Sequence, residues 1–190
     1  MNEEGKGYGF KVVIIGDGAV GKTSLIKKYT QGSFKKEYIA TLGTQFSKFE
    51  EEIDGEKVEL FLWDIAGQEQ FQALRQRFYI GSAGAIIVFS LDPEQERSFE
   101  HVSRWLDDLK KHCGNIPIVL FGNKVDLVDD GTLASNPSLP TSDENVIQFA
   151  KMNRFLGYYK TSALTGQGVT DAFKVLVRKL YQIAKISDFS

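Results

Sequence analysis

The sequence lacks several features that would place a protein in a class at once. It has one cysteine, Cys113, which suits a reducing compartment, and no apolar run reaches the roughly 18 residues of a membrane-spanning helix. The first ten residues do not form a secretory signal, Asn2 excludes the Met-Gly start of myristoylation, and the final residues offer no cysteine for prenylation. We therefore expect a cytoplasmic location, with membrane association only if the natural chain has a lipidated C-terminus that is missing here.

The chain also has little net charge. Its 23 lysines and arginines nearly balance 25 aspartates and glutamates, for a formal net charge of -2, so no nucleic-acid partner is expected. A length of 190 residues with 42% hydrophobic residues suits one domain over residues 1–190, folded at 11–185 between short tails.

Apolar runs and helical patterns alternate along the chain. The apolar runs, rich in β-branched and aromatic residues, are KVVII, LFLWD, AIIVFS, IPIVLFGNK and YYKTSA. Such runs are typical of parallel strands that are buried on both faces. Helical patterns cover residues 22–31, 70–79, 98–112, 142–152 and 169 to about 185. The alternation predicts a layered α/β fold.

Three segments refine this prediction. Residues 45–53 and 57–63 flank an Asp-Gly turn and predict an antiparallel hairpin, so the sheet should be mixed. Residues 129–144 hold two prolines among small polar residues and predict a long loop. The last helix should pack on the sheet through one apolar face, formed by Val169, Phe173, Leu176, Leu180 and Ile183.

Residues 16–24, GDGAVGKTS, match the phosphate-binding pattern G-x-x-x-x-G-K-[ST] between a strand and a helix. An ordinary glycine turn is the alternative, but it requires neither the lysine nor the spacing. In such a loop backbone N–H groups face the phosphates, Lys22 adds a point charge, and the Thr23 hydroxyl can ligate Mg²⁺. The predicted phosphate-binding residues of this P-loop are Gly18, Ala19, Val20, Gly21, Lys22, Thr23 and Ser24.

A second motif indicates which base is bound, since a P-loop alone fits ATPases, kinases and GTPases equally. The segment GNKVD, residues 122–126, follows the strand IPIVLF. An ionised Asp126 could accept both N–H donors on the guanine edge, whereas adenine offers no such pair. A plain turn is the alternative here.

In this order and at these spacings, GDGAVGKTS, TLGTQF, WDIAGQEQF, GNKVD and TSA resemble the Ras superfamily of small GTPases, from Lys11 to about Lys185. The hairpin that ends in LFLWD and the run SFEHVSRWLDDLKK are most similar to the Rab branch. GDGAVGKT and the longer loop after GNKVD instead resemble Rho proteins. The resemblance implies the three-layer P-loop GTPase fold, with a mostly parallel six-stranded sheet, one antiparallel strand and helices on both faces.

The resemblance also implies roles for matched positions. The metal ligands would be Thr23, Thr41 and Asp64, and the γ-phosphate would also contact Thr41 and Gly67. Gln68 would position the attacking water, and the catalytic set would be Gln68, Lys22 and Gly67. The guanine would lie against Phe34 and bind the following residues: Asn123, Lys124, Asp126, Ser162 and Ala163.

The implied function is a monomeric switch that binds GTP or GDP with Mg²⁺ and slowly hydrolyses GTP, in Rab-like trafficking or signalling. Effectors, an exchange factor and an activating protein would contact residues 31–43 and 64–79. No motif identifies an arginine that acts in cis, so we expect intrinsic turnover on the order of 10⁻⁴ s⁻¹. Two alternatives stay open: a guanine-nucleotide module without useful hydrolysis, and an adenine-specific enzyme.

Some positions depart from the family or keep two interpretations. Ile65 stands where Rab proteins usually have threonine, Gln70 where they have arginine, and Leu164 where a lysine is usual. None of the three removes a phosphate or metal ligand. The aromatic residues that match a Rab effector surface could equally be simple packing; they are Phe46, Trp63 and Phe78.

Overall fold

Strands and helices alternate in the computed structural model, which describes residues 7–31, 44–67, 72–136 and 138–188 without the side chains of residues 72–74, 130, 134 and 135. The strands are β1 (Tyr8–Ile15), β2 (Thr44–Ile53), β3 (Glu56–Ile65), β4 (Gly84–Ser90), β5 (Ile118–Asn123) and β6 (Tyr158–Thr161). The helices are α1 (Lys22–Tyr29), α2 (Gln72–Tyr79), α3 (Arg97–Glu100), α4 (Val102–Cys113), α5 (Asp130–Ser135), α6 (Asp143–Met152) and α7 (Val169–Asp188). No helix among the described residues is long and apolar enough to cross a membrane.

The six strands form one mixed sheet in the order β2-β3-β1-β4-β5-β6. Every neighbouring pair is parallel except β2 and β3, which form the predicted antiparallel hairpin. Asp54 and Gly55 both have positive φ, 52° and 80°, as the two-residue turn of a hairpin requires. The predicted fold class is therefore confirmed.

Two hydrophobic clusters cover the two faces of the sheet. In β1, Val12 and Ile14 face a cluster that includes apolar residues of α1 and α7, whereas Val13 and Ile15 face a cluster that includes residues of α4 and α6. The alternation follows from the two-residue period of a strand. Because both faces are buried there, residues 12–15 of β1 form a continuous apolar run. The fold therefore has three layers, and the loops at the ends of the sheet can carry a site.

Helix α7 packs on the sheet through most of the predicted face, but one member was predicted wrongly. Ile183 is 41% exposed, whereas Leu180 is buried. The buried stripe continues through Tyr181, with Ala184 packed against it. At 3.6 residues per turn, the position after residue 180 that faces the sheet is shared between 183 and 184, and packing selects Ala184.

The region 129–144 is not the uninterrupted loop that its composition predicts. Asp129 caps α5 by accepting a hydrogen bond from the Thr132 N–H at 3.1 Å, and Leu133 of that helix is buried. Ser142 caps α6. The composition of prolines and small polar residues predicts a loop where a helix of six residues forms. A short helix that is stabilised by a cap and one buried leucine shows too little periodicity to be predicted from the sequence.

Candidate functional site

The loops that follow the parallel strands bring most of the predicted site residues to one edge of the sheet. The P-loop follows β1, Asp64 and Gly67 lie at and after the end of β3, Asn123 ends β5, and Ser162 follows β6. Parallel strands place their carboxyl ends at the same edge, where α/β sheets bind their ligands. Thr41, Phe34 and Gln68 lie outside the described residues, so their predicted roles stay predictions.

The two glycines that define the P-loop pattern are required by sterics. Gly16 has φ 141°, and a Cβ there would lie 2.1 Å from the Val88 carbonyl oxygen. Gly21 has φ 97°, and a Cβ there would lie 2.3 Å from the Asn123 amide nitrogen. Both values are far below van der Waals contact, so the strand and the loop can approach only where the side chain is absent.

Lys22 directs its ammonium group into the loop that precedes it. Its Nζ donates to the carbonyl oxygen of Gly16 at 3.0 Å and to that of Asp17 at 2.7 Å. The residue is 7% exposed, and burial lowers the pKa of its ammonium, while the nearby carboxylates of Asp64 and Asp17 oppose that shift. The two carbonyl dipoles orient the Lys22 ammonium without neutralising its charge, which suits a group that is predicted to bind phosphate.

Thr23 and Asp64 meet although 41 residues separate them in sequence. The Thr23 hydroxyl donates to the Asp64 carboxylate, which is 7% exposed. Burial raises the pKa of Asp64, and the Thr23 hydrogen bond and the Lys22 and Lys27 charges act in the opposite direction. Hydroxyl and carboxylate oxygens are ligands that Mg²⁺ prefers, so Thr23 and Asp64 fit the predicted ion.

Asn123 holds three loops together at the other end of the cleft. Its amide nitrogen donates to the Val20 carbonyl oxygen at 2.8 Å. Its amide oxygen accepts from the Thr161 hydroxyl and from the Ala163 N–H, both at 3.2 Å. The amide is 1% exposed, so these bonds replace the water that it would otherwise bind. The P-loop, the end of β5 and the TSA segment therefore form one unit.

The remaining predicted base-binding residues surround Asn123. Lys124 adopts a left-handed backbone conformation, and its Nζ lies 3.2 Å from an Asp92 carboxylate oxygen and 3.0 Å from the Gln95 side-chain oxygen. Asp126 is exposed, and its carboxylate faces solvent as an acceptor-only group. Ser162 is fully buried. Lys124 thus fixes the turn from which Asp126 is presented.

Gly67 packs directly on the P-loop. A Cβ at this position would lie 2.4 Å from the Gly16 carbonyl oxygen and from the Asp17 carbonyl carbon, and 2.5 Å from the Gly18 nitrogen. Gly67, the predicted γ-phosphate contact, therefore lies against the loop that is predicted to bind the phosphates.

The three positions that depart from the family have different surroundings. Ile65 is fully buried in the core, and Leu164 is 77% exposed, while Gln70 lies outside the described residues.

With this geometry in place, comparison with known proteins identifies the family. The sequence model of the Ras family matches residues 11–182. The chain belongs to the Ras family. Among curated proteins it is 39% identical to the Ras-related protein RABA4c of Arabidopsis thaliana over 177 residues, which is 93% of this chain and 74% of the relative. It is also 39% identical to the Ras-related protein RGP1 of Oryza sativa subsp. japonica, with the same coverage of both chains.

A third relative extends the match and points to the same branch. The Ras-related protein RABA5d of Arabidopsis thaliana is 36% identical over 181 residues, 95% of this chain and 78% of the relative. The predicted resemblance is thus confirmed: the chain is a Ras-superfamily GTPase of the Rab branch. It is an enzyme that hydrolyses GTP and a small GTPase switch, and its family implies guanine-nucleotide binding.

The sequence analysis missed a group of residues in this GTPase that join its P-loop to the helices. The Trp105 indole N–H donates to one Asp17 carboxylate oxygen at 2.7 Å, and His101 Nδ1 lies 2.5 Å from the other. The Arg75 guanidinium stacks 4.3 Å from the Trp105 ring centroid. The two contacts of Asp17 span 84 and 88 residues of sequence, so no local pattern could have indicated them.

The aromatic residues that match a Rab effector surface form a row that begins on the β2-β3 hairpin and ends at Phe78 of α2. Ring centroids of Phe46 and Trp63 lie 5.4 Å apart, and those of Trp63 and Phe78 lie 5.8 Å apart. The row also contains Phe61, 6.0 Å from Phe46, and the Lys11 ammonium lies 4.6 Å from the Trp63 ring centroid. All four rings are half-buried, so they pack on one another and still present an apolar face to solvent.

Proposed function

We propose that this Rab-branch GTPase binds GTP and GDP with Mg²⁺ at the carboxyl ends of its parallel strands, and that its two nucleotide forms present different surfaces. One observation carries the proposal: the end of β3 brings Asp64 and Gly67 against the P-loop that carries Lys22 and Thr23, so that two separate parts of the chain meet at one place. Chance packing would not bring a buried cation, a pair of oxygen donors and a glycine with room only for backbone to the same place.

Each phosphate-binding group has a physical role in this proposal. The N–H groups of residues 18–24 and the start of α1 would bind the β-phosphate, and Lys22 would bridge the β and γ oxygens. Thr23 and Asp64, together with Thr41, would hold Mg²⁺. When bound, Mg²⁺ supplies neutralisation of charge on the β and γ oxygens. Gly67 would donate its N–H to the γ-phosphate.

Hydrolysis would then require one further group. Gln68 would orient a water molecule in line with the bond between the γ-phosphorus and the β–γ bridging oxygen. The water oxygen would attack the γ-phosphorus, the bond to the bridging oxygen would break, and the water proton would pass to the phosphate that forms, so that GDP and phosphate leave. The contact of the Gly67 N–H is lost with the phosphate, so the two segments at residues 31–43 and 64–79 would relax together.

Guanine would be selected by the other end of the cleft. Asp126 would accept both N–H donors of the guanine edge, and Phe34 would lie across the ring. Asn123, Lys124, Ser162 and Ala163 would support the base. The exposed carboxylate of Asp126 on a turn that Lys124 fixes supports this assignment.

Partners follow from the same switch. The half-buried aromatic row, Phe46, Phe61, Trp63 and Phe78, supports an effector surface next to residues 64–79, because half-buried aromatics are favoured anchors in protein interfaces. An exchange factor and an activating protein would contact the same segments. A role in Rab-like trafficking or signalling rests on membership of the branch.

Single-turnover phosphate release tests the hydrolytic part. The variant Gln68→Leu should release phosphate at least about tenfold more slowly than wild type, because the water is no longer oriented. Gln76→Leu, which changes an exposed glutamine on α2, is the matched control and should behave as wild type. If wild type and Gln68→Leu release phosphate equally slowly, the chain is a nucleotide-binding module without useful hydrolysis.

A further inference from the structure

Arg75 of α2 connects the proposed γ-phosphate contact to helix α4. One guanidinium nitrogen donates to the Gly67 carbonyl oxygen at 3.2 Å, and the guanidinium plane stacks on Trp105, 4.3 Å from the ring centroid. Arg75 is 6% exposed and Trp105 is 2% exposed. A buried cation over an indole gains more from the contact than an exposed one does, so the pair is a firm anchor for residue 67.

Trp105 continues the connection to the P-loop. Its indole N–H donates to Asp17 at 2.7 Å, and His101 contacts the second carboxylate oxygen at 2.5 Å. The carbonyl of the same Asp17 accepts from Lys22 at 2.7 Å. Hydrogen bonds to a charged group are short and strong, so the side chain of Asp17 fixes the peptide that orients the Lys22 ammonium.

The contacts close into a ring. Gly67 lies against the backbone of residues 16–18, so the order Gly67, Arg75, Trp105, Asp17 returns to Gly67. The two groups proposed to bind the γ-phosphate are both connected to this ring: the Lys22 ammonium donates to the Asp17 carbonyl, and the Gly67 N–H belongs to a member of the ring.

We infer that Arg75 and Trp105 are positioning residues for GTP hydrolysis: through Asp17 they hold Gly67, the residue before Gln68 in sequence, in register with the P-loop. Neither residue needs to touch the nucleotide. The inference rests on the proposed function, because it takes Gly67 and Lys22 as the groups that contact the γ-phosphate.

A purely structural role is the competing explanation, in which Arg75 and Trp105 only join α2 to α4. The two roles differ in what they affect. A structural link changes thermal stability and the affinity for every nucleotide together. A positioning link changes the rate of the chemical step and the preference for a γ-phosphate, with little effect on GDP.

The test compares Arg75→Met, Arg75→Lys and Trp105→Phe with wild type. Arg75→Met removes the donor to Gly67, whereas Trp105→Phe keeps a ring under Arg75 and removes the donor to Asp17. Arg77→Met is the matched control, because Arg77 is an exposed arginine on the same helix. Each variant is measured for single-turnover phosphate release, for dissociation constants of GDP and of a non-hydrolysable GTP analogue, and for its thermal midpoint.

We expect Arg75→Met and Trp105→Phe to slow phosphate release by about 10- to 100-fold, the loss typical of a small misplacement of reacting groups. GDP affinity should stay within about twofold of wild type while analogue affinity falls more. Arg75→Lys should recover part of the rate, because it keeps a donor and a charge, and Arg77→Met should match wild type.

Two results would overturn the inference. One is unchanged phosphate release in Arg75→Met and Trp105→Phe. The other is a fall in release accompanied by equal losses of GDP affinity, analogue affinity and thermal midpoint. If wild type itself releases no phosphate, the proposed hydrolysis fails separately; the ratio of analogue to GDP affinity then decides, since a changed ratio supports positioning and an unchanged ratio refutes it.

Discussion

The end of β3 can approach the P-loop closely because Gly67 has no Cβ. The nearest backbone atoms of residues 16–18 would lie 2.4 to 2.5 Å from a Cβ. Those atoms belong to the main chain and cannot rotate away as the end of a flexible side chain could. The residue that is proposed to sense the γ-phosphate is therefore also the one that permits the loop to come close.

The variant Gly67→Ala should separate these loops. Because the added methyl group must push residue 67 away from the phosphates, we expect affinity for a GTP analogue to fall by about tenfold or more, and GDP affinity to fall less. Titration with each fluorescent nucleotide gives both constants. Gly7→Ala is a suitable control, since its Cβ would make an ordinary 3.7 Å contact with the Lys57 carbonyl oxygen. Equal losses for both nucleotides would contradict the assignment of Gly67.

Individual residues also show what a sequence can and cannot predict. Gly16, Gly21 and Lys22 were predicted because the spacing of the P-loop is local. Asp17 lies in the same motif, yet its partner His101 lies between α3 and α4 and its partner Trp105 lies on α4. No residue near Asp17 in the sequence indicates either contact. Contacts between segments that are distant in sequence depend on tertiary packing, and a single sequence contains little information that predicts it.

Among the elements, segments with a clear periodicity or clear boundaries were predicted, whereas the short helix α5 and the break at His101 were not. All six strands were expected, as was α7, because their patterns extend over many residues or are bounded by clear turns. The predicted helix at 98–112 is divided into α3 and α4 at His101. His101 contacts Asp17 from this break, and no pattern in the local sequence indicates the break.

The β2-β3 hairpin carries a charge network whose effect depends on pH. Lys48 and Lys57 each place Nζ 2.9 Å from the same Glu59 oxygen. Their hydrogen bonds lower the pKa of Glu59 from 4.5 to about 2. A carboxyl whose pKa is lower in the folded state stabilises the fold above its unfolded pKa and loses that contribution as pH falls through the folded value.

Glu59→Gln should therefore reduce the free energy of unfolding at pH 6, and the difference from wild type should shrink as pH falls from about 4.5 toward 2. The loss at pH 6 should be small because the residues are partly exposed. Urea unfolding at pH 6, 4 and 3 measures it. Glu52→Gln, at an exposed position on the same hairpin, controls for loss of one negative charge. A difference that grows on acidification would show that Glu59 is not held by the two lysines.

At the scale of the whole molecule, the site and the fold share the same loops. Asn123 joins the P-loop, β5 and the segment after β6, and the Thr23–Asp64 pair joins α1 to β3. A ligand that binds these loops contacts elements from both halves of the chain. Binding should therefore stabilise the molecule against global unfolding, and selectivity for the base should appear in the thermal midpoint.

The thermal midpoint of nucleotide-free protein, measured with and without added nucleotide, tests both the stabilisation and the selectivity for the base. At a concentration about 100 times its dissociation constant, GDP with Mg²⁺ should add about 2.7 kcal/mol, a rise of about 5 to 10 °C in the midpoint for a chain of this size. ADP at the same concentration should give no comparable rise in the midpoint, because Asp126 offers only hydrogen-bond acceptors to the base edge.

Removing the metal with EDTA should lower the midpoint of the GDP-bound protein, since Thr23 and Asp64 would lose the ion that links them to the phosphates. The variant Asp126→Asn should lose most of the GDP effect while its nucleotide-free midpoint stays close to that of wild type. Equal stabilisation by ADP and GDP would instead favour the adenine-specific alternative, and it would remove the chemical reason for assigning the GNKVD segment to guanine.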